Sequence, residues 1–143
     1  MADPLRYDTR VNLSDKNNSH TLLVLLTGRN KKVLEVGPAT GYVTQALAAR
    51  GCRVTGIEIN PEAAKVARPH CERMIIGSVE EIDFDETFAG EQFDVVIYGD
   101  VLEHLLDPEG VLRKTARVLA PGGYVVASSA SEPLSTTMTR FEA

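Results

Sequence analysis

Residues 33–60, VLEVGPATGYVTQALAARGCRVTGIEIN, contain the pattern that decides the fold of this chain. An apolar run at residues 31–36 ends at Gly37, and a helical pattern follows from about Gly41 to Arg50. Gly51 is the residue type that most often follows the last turn of a helix, and residues 52–59 form a second apolar run. The stretch predicts a strand, a crossover helix and a second, parallel strand.

The same alternation of strand and helix patterns continues along the chain. Residues 60–68, NPEAAKVAR, and residues 107–119, DPEGVLRKTARVL, both begin with a capping residue, a proline and a glutamate, which are three start signals of a helix. A short helix capped by Ser19 is predicted before the first strand. Further apolar runs predict three more strands, at residues 71–76, 93–98 and 124–128. The chain is therefore predicted to be an α/β protein with a doubly wound, mostly parallel sheet of five strands.

One helix of this series is predicted to lie on the sheet with a charged outer face. Within residues 107–119, the apolar residues and small residues fall on one face, and the basic residues fall mainly on the other. The basic residues interpreted as a solvent-exposed face are Arg113, Lys114 and Arg117.

Composition and charge limit the classes of function. The chain has 143 residues, which suits one domain, and its net charge of −5 argues against a protein that binds nucleic-acid backbones. The longest apolar block, LLVLL at residues 22–26, is too short to cross a bilayer. Cys52 and Cys71 lack the spacing of metal ligands and are interpreted as small core residues of a reduced protein. We therefore expect a cytoplasmic protein with no membrane segment.

The glycines and an isolated carboxylate predict where a ligand binds. Doubly wound sheets bind ligands beyond the carboxyl ends of their strands. Gly37 permits a tight turn and a close approach to the backbone, and the helix after Gly41 offers free N–H groups to an anion. Glu58, at the tip of the second strand, is placed to accept the two hydroxyls of a ribose. This pairing indicates an adenosine-containing cofactor; in the alternative interpretation, the glycines only shape the turn and Glu58 is an exposed strand end.

The spacing around the glycines separates two kinds of cofactor. A dinucleotide site requires G-x-G-x-x-G, and position 39 is alanine. Instead, Glu35-x-Gly37-x-Ala39-x-Gly41 resembles the E/D-x-G-x-G-x-G motif of class I S-adenosylmethionine-dependent methyltransferases, with alanine replacing the middle glycine. Residues 93–128, FDVVIYGDVLEHLLDPEGVLRKTARVLAPGGYVVAS, resemble the V-L-E-H-L and L-x-P-G-G segment of small-molecule and glycan-associated members.

This resemblance implies a fold, an activity and a set of residues. It implies a Rossmann-like sheet in the order 3-2-1-4-5, S-adenosylmethionine as cofactor with S-adenosylhomocysteine as product, and methyl transfer to a small-molecule or glycan-type acceptor. The implied cofactor-binding residues are Glu35, Gly37, Ala39, Gly41, Glu58, Ile59, Ser78, Val79, Gly99 and Asp100, and the resemblance also implies that Glu80 lies near the adenine.

A second cluster, in GDVLEHL, contains the candidates for acid–base chemistry. Asp100, Glu103 and His104 are spaced so that they can share one face at a helix start. Three interpretations remain open: the cluster borders the cofactor and anchors its loop, His104 is a general base beside Asp100, or the three residues hold a divalent metal. We take Asp100 and His104 as the catalytic candidates and predict no metal. His20, Tyr7 and Tyr42 are weaker candidates for covering or lining the site.

The end of the chain departs from the family pattern. The chain is divided into an N-terminal segment (1–30), a cofactor-binding domain (31–129) and a polar tail (130–143) in which no strand is predicted. Two strands that close the family's sheet are therefore expected to be missing, which exposes an edge beside the fifth strand. We expect a fragment of a longer chain, or covering of that edge by the tail or by a second copy. The alternative function is a non-catalytic module that keeps the cofactor fold; a nicotinamide-dependent reductase would need the missing middle glycine.

Overall fold

The computed structural model describes residues 18–39, 41–129 and 135–140, and of residues 135–140 it describes the backbone. One sheet has the strand order β3-β2-β1-β4-β5-β6, in which β1 to β5 are parallel to one another and β6 is antiparallel to β5. The predicted order 3-2-1-4-5 is confirmed. The strands are β1 (Lys32–Val36), β2 (Arg53–Glu58), β3 (Arg73–Ile76), β4 (Phe93–Gly99), β5 (Leu119–Ser129) and β6 (Ser135–Arg140). The helices are α1 (Ser19–Thr27), α2 (Tyr42–Ala49), α3 (Pro61–Ala67), α4 (Phe84–Phe88) and α5 (Pro108–Val118).

Two hydrophobic cores lie on the two faces of the sheet. Alternate residues of β1, such as Val33 and Leu34, point into different cores because successive strand residues face opposite sides. Leu23 of α1 and Leu47 of α2 pack into one core, and the apolar faces of α4 and α5 pack into the other. Helices therefore cover both faces, which explains why the central strands are apolar almost without interruption.

The local start signals place most helices where the sequence predicts them. Asn60 and Asp107 cap α3 and α5 with their side chains, as expected. Asn18, not Ser19, caps α1, because its side chain accepts a hydrogen bond from the backbone N–H of His20 at 2.8 Å. The short helix α4, which begins after a cap by Asp83, was not among the predicted elements.

The polar tail contains a strand, so the prediction of no strand there is wrong. Ser135–Arg140 pairs antiparallel with β5, from Ser135 opposite Ser129 to Arg140 opposite Tyr124. A Ser/Thr-rich segment lacks apolar alternation, yet backbone hydrogen bonding to the free edge of β5 does not require it. The edge beside β5 is therefore paired with the chain's own tail, which is one of the coverings that the sequence analysis considered.

Among the described residues, no helix combines the length and the apolar character needed to cross a membrane.

Candidate functional site

Two cavities open at the carboxyl ends of the parallel strands and meet at Gly37. We call the cavity of about 280 Å³ the Glu58 cavity and the cavity of about 230 Å³ the Asp100 cavity. The Glu58 cavity is lined by Val36, Gly37, Ile57, Glu58, Ile59, Gly77, Ser78, Val79, Glu80, Val101, His104 and Leu105. The Asp100 cavity is lined by His20, Leu23, Glu35, Gly37, Pro38, Ala39, Tyr42, Val43, Gly99 and Asp100.

Gly37 lines both cavities, at a position where a side chain would be strained and would clash. Its φ of +78° is left-handed, and a Cβ built on it would lie 2.5 Å from Cγ2 of Val101. Its N–H donates to the carbonyl of Ile57 at 2.8 Å, which extends the pairing of β1 with β2 into the turn. A side chain at this position would collide with Val101, which lines the Glu58 cavity.

Glu58 is buried at the tip of β2, with 7% of its surface exposed. Its Oε1 accepts from the N–H of Ala39 at 2.8 Å, and its Oε2 accepts from the N–H of Asn60 at 2.9 Å. These bonds hold the carboxylate at the wall of the Glu58 cavity. Because each carboxylate oxygen can accept two hydrogen bonds, Glu58 keeps capacity for two further donors.

Glu35 is the buried carboxyl of the Asp100 cavity, with 3% of its surface exposed. The hydroxyl of Thr44 donates a hydrogen bond to it, and no salt bridge to Glu35 occurs among the described residues. Burial raises the pKa of Glu35 to about 7, and the negative charge of Glu58 adds to this effect. A cation entering the cavity would therefore find a carboxylate that lacks a counter-ion.

Asp100 follows β4 in a left-handed conformation, with φ of 54°. Ser128 holds it there: the Ser128 hydroxyl donates to Oδ1 of Asp100 at 2.9 Å, and the N–H of Asp100 donates to the Ser128 carbonyl at 3.2 Å. Aspartate tolerates this conformation better than most residues. Strained backbone of this kind is common at ligand-binding sites, where the surroundings keep it in place.

The two catalytic candidates lie in different cavities. His104 belongs to a short 3₁₀ turn, Leu102–His104, that lines the Glu58 cavity, while Asp100 precedes the turn and lines the other. The expectation that Asp100, Glu103 and His104 share a helix face is wrong, because the left-handed residue turns the chain before the short helix starts. Glu103 accepts a hydrogen bond from the Ser129 hydroxyl and thus anchors the loop.

His20 is the histidine that lines the Asp100 cavity, together with Tyr42. Helix α1 brings His20 there, because α1 lies close to the end of β4. Cδ1 of Leu23 is 3.7 Å from the position that a Cβ on Gly99 would occupy. The Tyr124 hydroxyl also donates to the carbonyl of Thr27 at 2.7 Å and holds the far end of α1 on β5. Tyr7, the other weak candidate, lies outside the described residues.

The remaining predicted residues divide between the two cavities. The Glu58 cavity contains Gly37, Glu58, Ile59, Ser78 and Val79, and the Asp100 cavity contains Glu35, Gly37, Ala39, Gly99 and Asp100. Gly41 lines neither cavity. Its left-handed backbone lets α2 begin against α3, where a Cβ would lie 2.9 Å from Cα of Ala67. Among the described side chains, no group of three or more His, Cys, Asp or Glu residues is arranged to hold a metal ion.

Lys114 is a residue beside the Glu58 cavity whose contacts the sequence analysis missed. The interpretation of Lys114 as a solvent-exposed residue is wrong, because its Nζ donates to the carbonyls of Val79 at 2.6 Å and Ile82 at 2.9 Å. Lys114 borders the buried side of α5, since it lies three residues after Val111 and four before Val118, but this spacing does not indicate which loop it contacts.

Comparison with known proteins identifies the family. A family model described as "Methyltransferase domain" matches residues 34–127, which include both cavities apart from His20 and its neighbour Leu23. The chain belongs to the class I S-adenosylmethionine-dependent methyltransferases. The resemblance drawn from the motifs of this methyltransferase domain is confirmed.

Curated relatives of this methyltransferase domain are longer proteins. The ubiquinone biosynthesis O-methyltransferase of Idiomarina loihiensis is 39% identical over 106 residues, covering 69% of this chain and 42% of that protein. The protein of the same name from Stutzerimonas stutzeri is also 39% identical, over 69% of this chain and 44% of that protein. The matches therefore span less than half the length of these relatives.

A solved structure agrees with the fold of this methyltransferase domain. The N-methyltransferase NodS from Bradyrhizobium japonicum, in complex with S-adenosyl-L-homocysteine, superposes with a TM-score of 0.67 and 25% identity. The superposition covers 87% of this chain and 65% of NodS.

Proposed function

We propose that this domain binds S-adenosylmethionine across the two cavities and transfers its methyl group to a small-molecule acceptor that enters beside Asp100. One observation carries the proposal: the two cavities meet at Gly37, with a buried carboxylate on each side of it. Such a pair suits a ligand that has a sugar hydroxyl pair at one end and a cationic amino-acid group at the other.

The Glu58 cavity fits the nucleoside part. The carboxylate of Glu58 has capacity to accept two ribose hydroxyls, since each of its oxygens uses one acceptor position within the protein. Ile59 is 70% exposed beside it, and Val79 lies in the opposite loop of the same cavity. These apolar side chains offer contact surface to an adenine ring, whose burial would be favourable.

The Asp100 cavity fits the amino-acid part of the cofactor and the acceptor. An ammonium group beside Glu35 would supply the positive charge that the buried carboxyl lacks, and would favour its ionised form. Among the described residues, no side chain caps the N–H groups at the start of α2, and such groups suit a carboxylate. Asp100, held by Ser128, borders the remaining space, where the acceptor has to be positioned.

The chemistry requires orientation and, for a hydroxyl acceptor, removal of one proton. Bound S-adenosylmethionine supplies an activated methyl carbon, so the chain's own residues contribute binding, alignment and proton transfer. The relatives' name, O-methyltransferase, favours an oxygen acceptor. His20 lines the Asp100 cavity and is the better placed general base; His104, in the other cavity, remains the prediction from sequence.

Isothermal titration of the chain with S-adenosylhomocysteine tests the binding proposal. We expect one site per chain, and no binding at millimolar ligand would reject the proposal. A panel of phenols and sugars, offered with S-adenosylmethionine, then tests transfer. Binding without turnover of any acceptor would favour the alternative of a non-catalytic cofactor-binding module.

Two matched substitutions, His20→Gln and His104→Gln, test the assignment of the base. With an acceptor that is methylated at oxygen, His20→Gln should lower kcat by roughly 100-fold while leaving affinity for S-adenosylhomocysteine almost unchanged. His104→Gln should change kcat by no more than about twofold if His104 is not the base. Loss of a general base typically lowers kcat far more than that. The reverse result would return the role of base to His104.

A further inference from the structure

The two walls of the Glu58 cavity are tied to each other and to α5. One wall is the loop of residues 77–82, and the other is the segment of residues 101–107. The Glu80 carboxylate spans them: its two oxygens accept from the N–H groups of Leu106 at 3.2 Å and Asp107 at 2.9 Å. Neither wall can move far without breaking these bonds.

Lys114 holds the first wall from beneath. Its Nζ donates to the carbonyls of Val79, Glu80 and Ile82 at 2.6, 3.4 and 2.9 Å, and lies 4.8 Å from the centre of the Phe84 ring. Three carbonyls of this loop therefore converge on one ammonium, which holds the backbone of the loop in one conformation. The ammonium's own position is fixed in return by α5 and by the aromatic ring.

We propose that Lys114 is a positioning residue for the nucleoside part of the cofactor, acting through the loop of residues 77–82, with Glu80 extending its effect to the second wall. The inference rests on the proposed function and adds to it the residue that sets the shape of the cavity. Lys114 lines neither cavity, so it acts on the ligand only through the backbone that it holds. Its loss should weaken nucleoside binding and leave the amino-acid end unaffected.

The chain offers a matched control for Lys114. Arg113 is the neighbouring cation on α5, its side chain is 74% exposed, and its ion pair is with Glu109 of the same helix at 2.8 Å. Lys114→Met and Arg113→Met remove the same charge one residue apart. Only the first removes hydrogen bonds to the cavity wall.

The experiment measures binding and hydrogen exchange on the same three proteins. For Lys114→Met, affinities for S-adenosylhomocysteine and for adenosine should fall by the same factor, about tenfold, because both ligands share the nucleoside. Without ligand, amides of residues 77–82 and 105–107 should exchange faster, while those of β1 and β4 stay unchanged. Arg113→Met should match the unsubstituted chain in both measurements.

Each contrary outcome has one meaning. Unchanged exchange in the two walls, or equal effects of Lys114→Met and Arg113→Met, would overturn the role of Lys114. A loss of S-adenosylhomocysteine affinity without a loss of adenosine affinity would also overturn it. Faster exchange in the walls combined with no binding by the unsubstituted chain would support the hold of Lys114 on the loop of residues 77–82 and reject the proposed function instead.

Discussion

The two cavities are built in different ways. Hydrogen bonds from backbone N–H groups to Glu58 and Glu80, and from Lys114 to three carbonyls, connect the walls of the Glu58 cavity. The Asp100 cavity instead contains two residues other than glycine in a left-handed conformation, Ala39 and Asp100. It also contains a carboxyl without a counter-ion among the described residues.

This difference suggests a division of work. A cavity whose walls are hydrogen-bonded to each other keeps its shape before a ligand arrives, which lowers the entropy lost on binding. A cavity with strained backbone and a buried, poorly compensated carboxyl stores free energy that a ligand can recover. We therefore expect the Glu58 cavity to set the affinity for the nucleoside. We expect ligand binding in the Asp100 cavity to depend on charge.

The largest expected effect is that of Gly37→Val, which would damage both cavities together. The valine would enter a left-handed conformation and collide with Val101, so the free energy of unfolding should fall by about 3–5 kcal/mol, with loss of S-adenosylhomocysteine binding. Denaturant unfolding and titration measure the two effects.

Gly122→Val is the control for Gly37→Val. Its φ of +79° is almost the same, and a Cβ there meets nothing within 4 Å. It should lower stability by about 1–2 kcal/mol through the backbone alone and leave binding intact. Equal losses in the two variants would contradict the collision and the position of Gly37 between the cavities.

Substitution of Glu35 tests how the Asp100 cavity responds to pH. Folding raises its pKa from 4.5 to about 7, so the folded chain holds the proton more tightly. The associated stability is present below pH 4.5 and is lost as the pH rises to about 7, by roughly 3 kcal/mol in total. Glu35→Gln should abolish this loss and should be the more stable protein above pH 7, measured by denaturant unfolding across the pH range.

The same substitution should have the opposite effect on binding. If an ammonium group binds beside Glu35, affinity for S-adenosylhomocysteine should rise as the pH increases through 7 in the unsubstituted chain, and Glu35→Gln should weaken it and remove the rise. Glu72→Gln, at a side chain that is 53% exposed, should change neither curve. A pH-independent affinity in the unsubstituted chain would separate Glu35 from the cofactor.

Glu58→Ala should mainly affect ligand binding in the Glu58 cavity. Two ribose hydroxyls would lose their acceptor, so affinity for S-adenosylhomocysteine should fall by about 1–3 kcal/mol in isothermal titration. Glu62→Ala, at a side chain that is 78% exposed, is the control and should bind normally. Unchanged affinity in Glu58→Ala would place the sugar elsewhere.

The smallest expected effect is a gain from Ala39→Gly. Glycine would relieve the left-handed strain at Ala39, so the free energy of unfolding should rise by about 0.5–1 kcal/mol, after the added entropy of the unfolded chain is subtracted. Affinity for S-adenosylhomocysteine should also increase, because the methyl group of Ala39 lines the Asp100 cavity.

Ala89→Gly separates the two gains of Ala39→Gly. Ala89 also has a left-handed φ, of 47°, but it ends α4 and lines neither cavity. Both substitutions should stabilise the fold, and only Ala39→Gly should tighten binding. A gain in affinity at both positions would show that global stability, and not the cavity wall, controls binding.

More of the Glu58 cavity than of the Asp100 cavity could be predicted from the sequence. Gly37 and Glu58 belong to one βαβ unit, so their spacing along the chain already brings them to the same edge of the sheet. The positions of His20 and His104 could not be predicted in this way. They depend on how α1 packs over β4 and on the left-handed turn at Asp100, which no local pattern in the sequence indicates.

The sequence alone determined the parallel strands and the acid at the tip of β2, because strand and helix periods and capping residues are local properties. The order of the strands was implied by the resemblance of the motifs to a known family. Only the tertiary structure decided that Lys114 faces the loop of residues 77–82, that Ser128 holds Asp100 and that the tail pairs with β5. These contacts join segments about 30 residues apart or lie on a sheet edge, so they depend on packing and backbone pairing, which leave no periodic trace in the chain.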